Sequence, residues 1–416
     1  MSYFANKAVC AFMLTVGSGL LSAQESTVVR DTLPSETSAV ATQQLLLQEI
    51  SSEDLKYYGL EEKTRRMLTA SLLVSGVYDS NIFISDGNET DDFIWTLAPT
   101  ITFEPEHIQS SNPHYFKAVY NPKLQFFTYK DTEDTIEHAG LASYLYKGEV
   151  VTFNAKHESG TESGPTRDVG TRTNRDVHNS QITLNVDLAE KWSILLDNQQ
   201  RLAFYTKQND HHVWTTEGFV LYRPAKNLLL GVGPKLGWTD VTGGPNQDFQ
   251  QGLARISYAP HPDWSFDLTG GFEVRSFQDP AGVGTRVTPV YQSNITYRVF
   301  PQTNLFLSGY RQVRSSTGLN ATNFITTGGR VGIGQNITRK LQYIGTYGLE
   351  HADYYNTSTT QFSRARDDFF QFTSHDLNYR YNEYLSFGMN YTWMLNDSNV
   401  ADFVSHRVGL STTFTY

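Results

Sequence analysis

The chain has one cysteine, Cys10, and its longest apolar segment is too short to span a membrane as a helix. That segment, residues 8–21, contains Cys10 and is typical of a signal peptide, so the mature chain is expected to have no disulfide bond. Basic residues are also scarce, because 33 Lys and Arg stand against 43 Asp and Glu, and they form no cluster. This charge balance argues against nucleic acid as a partner.

Aromatic residues, in contrast, are plentiful, with 24 Tyr, 25 Phe and 6 Trp. Apolar and polar residues alternate along many segments, most clearly in residues 182–188, 264–275 and 385–393. A period of two is typical of strands that lie between two different environments. A barrel with lipid outside and water inside has this pattern, and so does a soluble sheet with one buried face. Alternation alone therefore leaves both architectures open.

Short turn-forming pairs separate the two architectures better, because they recur at intervals of roughly 40 residues. The pairs are Asn112-Pro113, Lys147-Gly148, Ala189-Glu190, Pro224-Ala225, His261-Pro262, Pro301-Gln302, Arg339-Lys340 and Asn382-Glu383. Longer polar connections, such as residues 80–91 and 159–174, are expected between them. Short turns at one end and long loops at the other are expected of outer-membrane barrels.

Eight such turns divide the chain into nine hairpins. The predicted fold class is therefore all-β: a transmembrane antiparallel up-and-down β-barrel of eighteen strands. Sixteen strands are the alternative, because Pro99, Pro122 and Pro234 fall inside predicted strands and proline cannot donate to a ladder. Bulges or local breaks are expected at these three positions.

The last strand carries a further signal. Phe414, Leu410 and Val408 alternate with small or polar residues, and the sequence ends on Tyr416. Such a terminal aromatic strand looks like that of bacterial outer-membrane barrels, in which it acts as the insertion signal and closes the barrel. Phe414 and Tyr416 are therefore predicted to be the assembly signal, and the bacterial outer membrane is the predicted location.

The sequence is predicted to have three parts. Residues 1–23 are a signal peptide, with Lys7 before the apolar run and cleavage after Ala23. Residues 24–66 are a periplasmic N-terminal segment, partly disordered, with the potential to form a short helix or a plug in the lumen. Residues 67–416 are the outer-membrane β-barrel.

The segment Tyr78-Asp79-Ser80-Asn81-Ile82 carries a family resemblance. It resembles the opening of the "putative β-barrel porin 2" family of bacterial outer-membrane proteins, in which a Tyr-Asp-x-Asn-apolar motif recurs. The resemblance would cover about residues 67–416. It implies an outer-membrane barrel, and because family members are often associated with export of extracellular polysaccharide, it adds that role as an alternative.

Charged residues on the polar faces of the strands are predicted to line the lumen. They are Arg201, Arg223, Arg255, Arg275, Arg298, Arg330, Arg380, Asp187, Asp197, Asp267, Glu273 and Glu350. Rings of charge set the selectivity of pores, whereas ion pairs within the wall would only stiffen it, and the sequence leaves both roles open. Gly231, Gly233, Gly332 and Gly334 are expected to leave room on the same wall for solute or for the N-terminal segment.

No catalytic, cofactor-binding or metal site is predicted. Ser374-His375 and Ser405-His406 are adjacent pairs on predicted strands, so their side chains point to opposite faces and cannot act as nucleophile and base. The acidic loop 79–92 has the oxygen donors that Ca²⁺ prefers, but its spacing matches no EF-hand loop. We therefore expect no enzyme and no cofactor, and Ca²⁺ binding by the loop stays open.

The predicted function is porin-like, passive passage of solutes through the barrel. The alternatives are an outer-membrane component of an extracellular polysaccharide export assembly, and a structural or surface-binding barrel with a blocked lumen. The expected partners are outer-membrane lipid and lipopolysaccharide, the barrel-assembly machinery, and a periplasmic or polysaccharide-export partner that docks through residues 24–66.

Overall fold

The structure, a computed structural model, describes residues 67–105, 113–244, 246–279, 282–317, 322–356 and 364–416. The predicted signal peptide 1–23 and the N-terminal segment 24–66 lie outside the described residues, so both stay predictions. Within the described ranges, no helix is both long enough and apolar enough to cross a bilayer.

The described chain consists almost wholly of strands, joined by one short 3-10 helix at Asp131–Glu133. The strands are β1 (Leu68–Asp79), β2 (Asp92–Phe103), β3 (His114–Tyr120), β4 (Lys123–Phe127), β5 (Thr135–Glu137), β6 (Ala139–Lys147), β7 (Val151–Thr166), β8 (Thr171–Ala189), β9 (Trp192–Tyr205), β10 (His211–Ala225), β11 (Leu228–Val241), β12 (Asn246–Tyr258), β13 (Trp264–Asp279), β14 (Gly282–Phe300), β15 (Thr303–Ser315), β16 (Thr322–Asn336), β17 (Leu341–Asn356), β18 (Arg364–Arg380), β19 (Leu385–Ser398) and β20 (Phe403–Thr415).

These segments form eighteen barrel strands. β3 and β4 pair with the same neighbour, β2, and are two halves of one strand that is interrupted at Asn121-Pro122. β5 and β6 pair with β4 and β3 and form the next strand, interrupted at His138. Every strand pairs antiparallel with its neighbours, and β1 pairs with both β2 and β20, which closes the barrel. The predicted fold class and the count of eighteen are confirmed.

The three prolines coincide with interruptions in the hydrogen-bond ladder. β2 pairs with β3 and β4 on either side of Pro99 but not at Pro99 itself, and the side chain of Asn121 donates to the Pro99 carbonyl at 3.1 Å instead. Pairing between β10 and β11 stops at Glu217 opposite Lys235, and it resumes beyond Pro234. The local breaks expected at Pro99, Pro122 and Pro234 are therefore confirmed.

The short turns lie where the sequence predicts them, apart from the first, because Asn112 lies outside the described residues. The long loop expected at residues 159–174 was wrong. β7 and β8 are 16 and 19 residues long and stay paired up to Thr166 and Thr171, so only residues 167–170 join them. This hairpin extends beyond the lipid-facing part of the wall. In the part outside lipid neither face of a strand needs to be apolar, so the alternation that identifies a strand disappears.

The outer face of the barrel is apolar and bounded by aromatic residues. At the short-turn end, which is periplasmic in this class, Trp192 packs against Tyr222 in a tilted arrangement with ring centroids 4.6 Å apart. Trp264 stacks on Tyr297, at 4.0 Å. Towards the other end, Trp214 and Trp238 point outward. An apolar band between two aromatic girdles indicates a wall that faces lipid, which a soluble sheet does not need.

The motif residues Asp79 and Asn81 lie at the seam where the first and last strands meet. The carboxylate of Asp79, 1% exposed, accepts hydrogen bonds from the Asn81 amide and the Ser405 hydroxyl, both at 2.9 Å, and lies 2.7 Å from Arg407 Nε. Asn81 is fully buried and donates to the Val404 carbonyl of β20 at 3.1 Å. The motif that carries the resemblance therefore fastens β1 to β20.

Replacing both Phe414 and Tyr416 with Ser should reduce the amount of barrel in the outer membrane. Phe414 points outward from β20 and is half exposed, and the Tyr416 backbone exchanges hydrogen bonds with Ala70 of β1. The measurement is the heat-modifiable band in outer-membrane fractions. Val400→Ser, an equally exposed apolar residue in the β19–β20 loop, is the control. Wild-type assembly of the double variant would reject the signal role.

Candidate functional site: the constricted lumen

The twelve charged residues predicted to line the lumen all lie on the inner face of their strands, as judged from the alternation of burial. Arg255, Arg275, Asp197, Glu273 and Glu350 are buried, each 7% exposed or less. The others are half-buried on the wall or exposed at the periplasmic mouth: Arg201, Arg223, Asp187, Asp267, Arg298, Arg330 and Arg380. Their role in selectivity stays a prediction.

Several of these charged groups have hydrogen-bond partners within the wall. Glu273 accepts from Arg275 Nε at 2.7 Å, so two of the predicted residues form one ion pair. Asp197 accepts from the side chains of Gln181, Thr183 and Gln199 at 2.7–2.8 Å. These groups have satisfied partners and stiffen the wall, which is the structural role that the sequence left open.

The extracellular ends of β15, β16 and β17 fold inward and narrow the lumen. β14 pairs with β15 only up to Tyr291 and Arg311, whereas β13 and β14 stay paired to their ends. Beyond this split, Ile325 and Tyr355, which alternate with lumen-facing residues, pack against the inner-face side chain of Phe277. We call residues 312–315, 323–326 and 353–355 the inner flap.

A buried polar network fastens the inner flap to β12 and β13. Gln247 of β12, 2% exposed, accepts from Arg275 Nη1 at 2.9 Å, from the Asn323 amide at 2.7 Å and from the Ser315 hydroxyl at 3.2 Å. Its own amide donates to Asn323 Oδ1 at 3.0 Å. Because buried polar groups are costly when unpaired, this network favours a single position of the flap.

The β7–β8 turn, residues 167–170, reaches across to the flap, and we call it the bridging turn. Asp168, 8% exposed, accepts from the Ser316 hydroxyl and from the Thr317 amide, both at 2.8 Å. Arg366 of β18, 2% exposed, donates to the carbonyls of Arg167 and Asp168 at 2.9 Å. The same guanidinium binds Asp368 through two hydrogen bonds, at 2.5 and 2.6 Å.

Arg167 makes the second attachment of the bridging turn. Its guanidinium donates to Glu350 of β17, which also accepts from the Tyr310 hydroxyl, and it lies 3.9 Å from the centre of the Phe370 ring. Burial alone would lower the pKa of the Arg167 guanidinium, but the charge and hydrogen bond of Glu350, together with Tyr310 and Tyr354, raise this pKa overall. Arg167 therefore stays charged, and the constriction contains paired rather than isolated charges.

Sequence reasoning identified Glu350 but missed Arg167, Asp168, Arg366 and Asp368. Arg167 and Asp168 lie at a polar hairpin tip, and Arg366 and Asp368 lie at a charged strand end almost 200 residues later. Neither segment carries a local signal that it contacts the other. The only indication was that both segments concentrate Arg and Asp inside polar stretches.

Three of the four lumen glycines do not leave room for solute, which corrects the prediction for Gly231, Gly233 and Gly332, while that for Gly334 stays a prediction. At Gly231, an added Cβ would lie 2.7 Å from the Leu221 side chain, and at Gly332 it would overlap the ring of Phe306. At Gly233 an added Cβ would meet the backbone of the neighbouring strand. Backbone or neighbouring side chains therefore occupy the space at three of these positions.

The acidic loop is used structurally. Asp92, fully buried, accepts from the backbone amides of Phe93, Thr128 and Lys130 at 2.7–3.0 Å, and Asp79 belongs to the seam. Among the described residues, no group of three or more His, Cys, Asp or Glu is placed to hold a metal ion.

Solved structures similar in fold include three outer-membrane proteins. OpdK of Pseudomonas aeruginosa, solved with vanillate, is 10% identical over 84% of this chain and 99% of its own, with a TM-score of 0.46. OccK2 (OpdF) of the same organism is 10% identical over 84% and 98%, with a TM-score of 0.47. OccAB4 of Acinetobacter baumannii is 8% identical over 85% and 99%, with a TM-score of 0.46.

None of the curated proteins compared with the sequence matches it. One family model does match, that of "Putative beta-barrel porin 2", over residues 265–416. The matched region does not include the Tyr78-Asp79 segment on which the resemblance rests. Neither this match nor the fold supports the polysaccharide-export alternative. The resemblance is thus confirmed over the C-terminal part of the chain, and the protein is a porin-like β-barrel of the bacterial outer membrane.

Proposed function

We propose that the protein is a passive channel for small anionic solutes. The observation that carries this proposal concerns Arg201, Arg255 and Arg330 on the lumen wall. Within the described chain, none of the three forms an ion pair with a carboxylate, and the Nε donors of Arg201 and Arg255 have no acceptor. Unpaired cations on a lumen wall attract anions and repel cations.

Several lumen carboxylates have basic partners, whereas Asp197 accepts only from neutral side chains and Asp267 Oδ1 accepts no hydrogen bond within the described chain. Glu217 lies 3.4 Å from Lys235, and Glu158 lies 3.2 Å from Lys156. Glu350 is paired with Arg167 at the constriction. We therefore propose that the field of the unpaired arginines outweighs that of the remaining lumen carboxylates in charge selectivity, although the whole chain has a formal net charge of −10.

Two parts of the lumen then have separate roles. The charges where the bridging turn meets β17 and β18 are paired, Arg167 with Glu350 and Arg366 with Asp368, so this constriction restricts solute size. Arg201, Arg255 and Arg330 lie on the wall and determine which charge is favoured. The remaining expectations, that the chain is not an enzyme and that it meets the partners named above, stay predictions.

Reversal potentials in planar bilayers test the proposal. In a KCl gradient, the wild-type channel should prefer chloride, and the triple variant Arg201→Gln, Arg255→Gln, Arg330→Gln should lose this preference, because the unpaired positive charges of the wall are removed. Arg339→Gln, in an exposed periplasmic turn, is the control and should leave the potential unchanged. A cation-preferring wild-type channel would overturn the proposal.

A second candidate is a structural or surface-binding barrel with a blocked lumen, and the bridging turn favours it because it crosses from β7–β8 to β17 and β18. The same recordings separate the two candidates. Steady current from the mature chain supports the channel, whereas no current under any applied voltage supports the blocked barrel.

A further inference from the structure

One arginine, Arg311 of β15, points to lipid rather than to the lumen. It continues the outer face of the strand beyond Leu305 and Leu307, which are 37% and 50% exposed. Its cross-strand partner Tyr291 is 40% exposed on the outer face of β14. Between the two aromatic girdles, the structure describes no other arginine or lysine on the outer face of a strand. Positive charge on the lipid-facing part of the described wall is therefore confined to this place.

Arg311 lies at the height of the upper aromatic girdle. It is eight residues from the periplasmic start of β15. Trp393, on the outer face of β19, is also eight residues from the start of its strand, and Trp238 of β11 is ten. At about 3.3 Å per residue and a strand tilt of roughly 40°, eight residues rise about 20 Å. The apolar band of such barrels is about 25 Å tall, so the long side chain of Arg311 reaches the headgroups of the outer leaflet.

The charge of Arg311 is not neutralised within the described chain. Its Nη1 donates to the Thr327 hydroxyl at 2.7 Å, its Nε is buried without an acceptor, and no described carboxylate forms an ion pair with it. Asp367 of β18, on the same outer face, is bonded to His351 instead, at 2.8 Å. A guanidinium has five donors in a planar fork that matches a phosphate group. Hydrocarbon offers it no acceptor, whereas a phosphorylated headgroup does.

The wall around Arg311 has room for a lipid chain on its membrane side. Directly beneath Arg311, Ser293, Gly309 and Gly329 are cross-strand partners on the outer face, so three small residues in a row form a shallow groove. The ring of Tyr291 borders this groove, since a Cβ added at Gly309 would lie 4.0 Å from that ring. Above Arg311, β14 and β15 separate where β15 turns into the inner flap, which leaves a notch in the outer wall.

We propose that this groove and Arg311 form a binding site for an outer-leaflet lipid with a phosphorylated headgroup. The acyl chain lies over Ser293, Gly309 and Gly329, and the phosphate accepts hydrogen bonds from the Arg311 guanidinium. The orientation of the lipid follows because the small residues lie on the membrane side of Arg311 and the notch lies on the extracellular side. The site is on the outer face of the barrel, so it does not rest on the proposed channel.

Native mass spectrometry of the purified protein in a mild detergent tests this site. The probes are phosphorylated lipid A and the same lipid after enzymatic dephosphorylation. The wild type should bind the phosphorylated lipid about tenfold more tightly, as expected for one charge-assisted hydrogen bond. Arg311→Gln should bind both lipids equally, and Arg311→Lys should keep part of the preference. Arg298→Gln, which removes a lumen-facing charge from neighbouring β14, is the matched control and should behave like the wild type.

Two results would overturn the assignment of Arg311: equal binding of the two lipids by the wild type, or a preference that survives in Arg311→Gln. Inorganic phosphate provides a further arm of the experiment. In millimolar excess it should not displace the lipid, because a free anion makes no contact with the groove. Displacement would identify a site for free phosphate and would equally reject a lipid site.

A second variant tests the groove separately from the charge. Ser293→Leu fills the groove with an apolar side chain on the lipid-facing wall, so the barrel should still assemble. The affinity for both lipids should fall roughly threefold to tenfold, because the acyl chain loses contact with the wall, and the ratio between the two affinities should stay. Thr412→Leu, a similar change on the outer face of β20, should alter neither affinity. Unchanged lipid affinity in Ser293→Leu would contradict the proposal.

Discussion

Replacing Asp79 with alanine will lower the free energy of unfolding of the barrel by about 3–5 kcal/mol, because it removes one partner of a buried ion pair. Asp79 holds Arg407 and Ser405 of the last strand, and its loss leaves the Arg407 guanidinium, 11% exposed, without this carboxylate. The midpoint of unfolding in urea, followed by the heat-modifiable gel shift, measures the change.

Two variants make the Asp79 experiment specific. Asp79→Asn keeps an oxygen acceptor for Ser405 and the Asn81 amide and should lose less stability than Asp79→Ala. Asp397→Ala removes an exposed carboxylate on β19, at the same end of the barrel as Asp79, and should have no measurable effect on the free energy of unfolding. If Asp79→Ala matched the wild type in stability, the seam would not depend on the motif.

Replacing Arg366 with alanine will release the bridging turn and raise the single-channel conductance. The substitution leaves two backbone carbonyls and the carboxylate of Asp368 without their donor in a buried site, a local penalty of about 3–5 kcal/mol. The turn then has only Arg167 and Asp168 to hold it. Conductance in planar bilayers is the measurement.

Arg366→Lys tests whether geometry or charge holds the turn. Lysine keeps the charge but cannot span Asp368 and both carbonyls, because that arrangement needs the planar fork of a guanidinium. We expect an intermediate conductance. Arg286, over the ring of Tyr355 on the inner flap at 3.9 Å, provides a comparison away from the turn. Arg286→Gln should change conductance less, and a larger change than in Arg366→Ala would reject Arg366 as the main attachment.

Much of the wall could be predicted from residue order. The outward Tyr222 and Tyr297 beside inward Arg223 and Arg298 follow from alternation once the turns are located. The register within a hairpin is set by its short turn, so the inward and outward residues of each strand follow from those of its neighbour. The interruption at Pro122 is equally local, because proline lacks the amide hydrogen that the ladder needs.

The constriction could not be predicted, because its partners are far apart in sequence and lie outside the lipid-facing band. Asp168 and Ser316 are separated by 148 residues, and Gln247 and Asn323 by 76. In the inner flap apolar side chains occur on both faces of a strand, as at Phe324 and Ile325, so hydrophobic periodicity carries no information about which way the strand bends.

The sequence by itself determined the eighteen-strand barrel, its inner and outer faces and its terminal strand, since lipid on one side and water on the other require an alternation that can be counted. Only the tertiary structure decided that β15–β17 fold inward and that the bridging turn meets Glu350 and Arg366. The physical reason is that side-chain packing and buried hydrogen bonds depend on distances across the barrel, and residue order does not specify those distances.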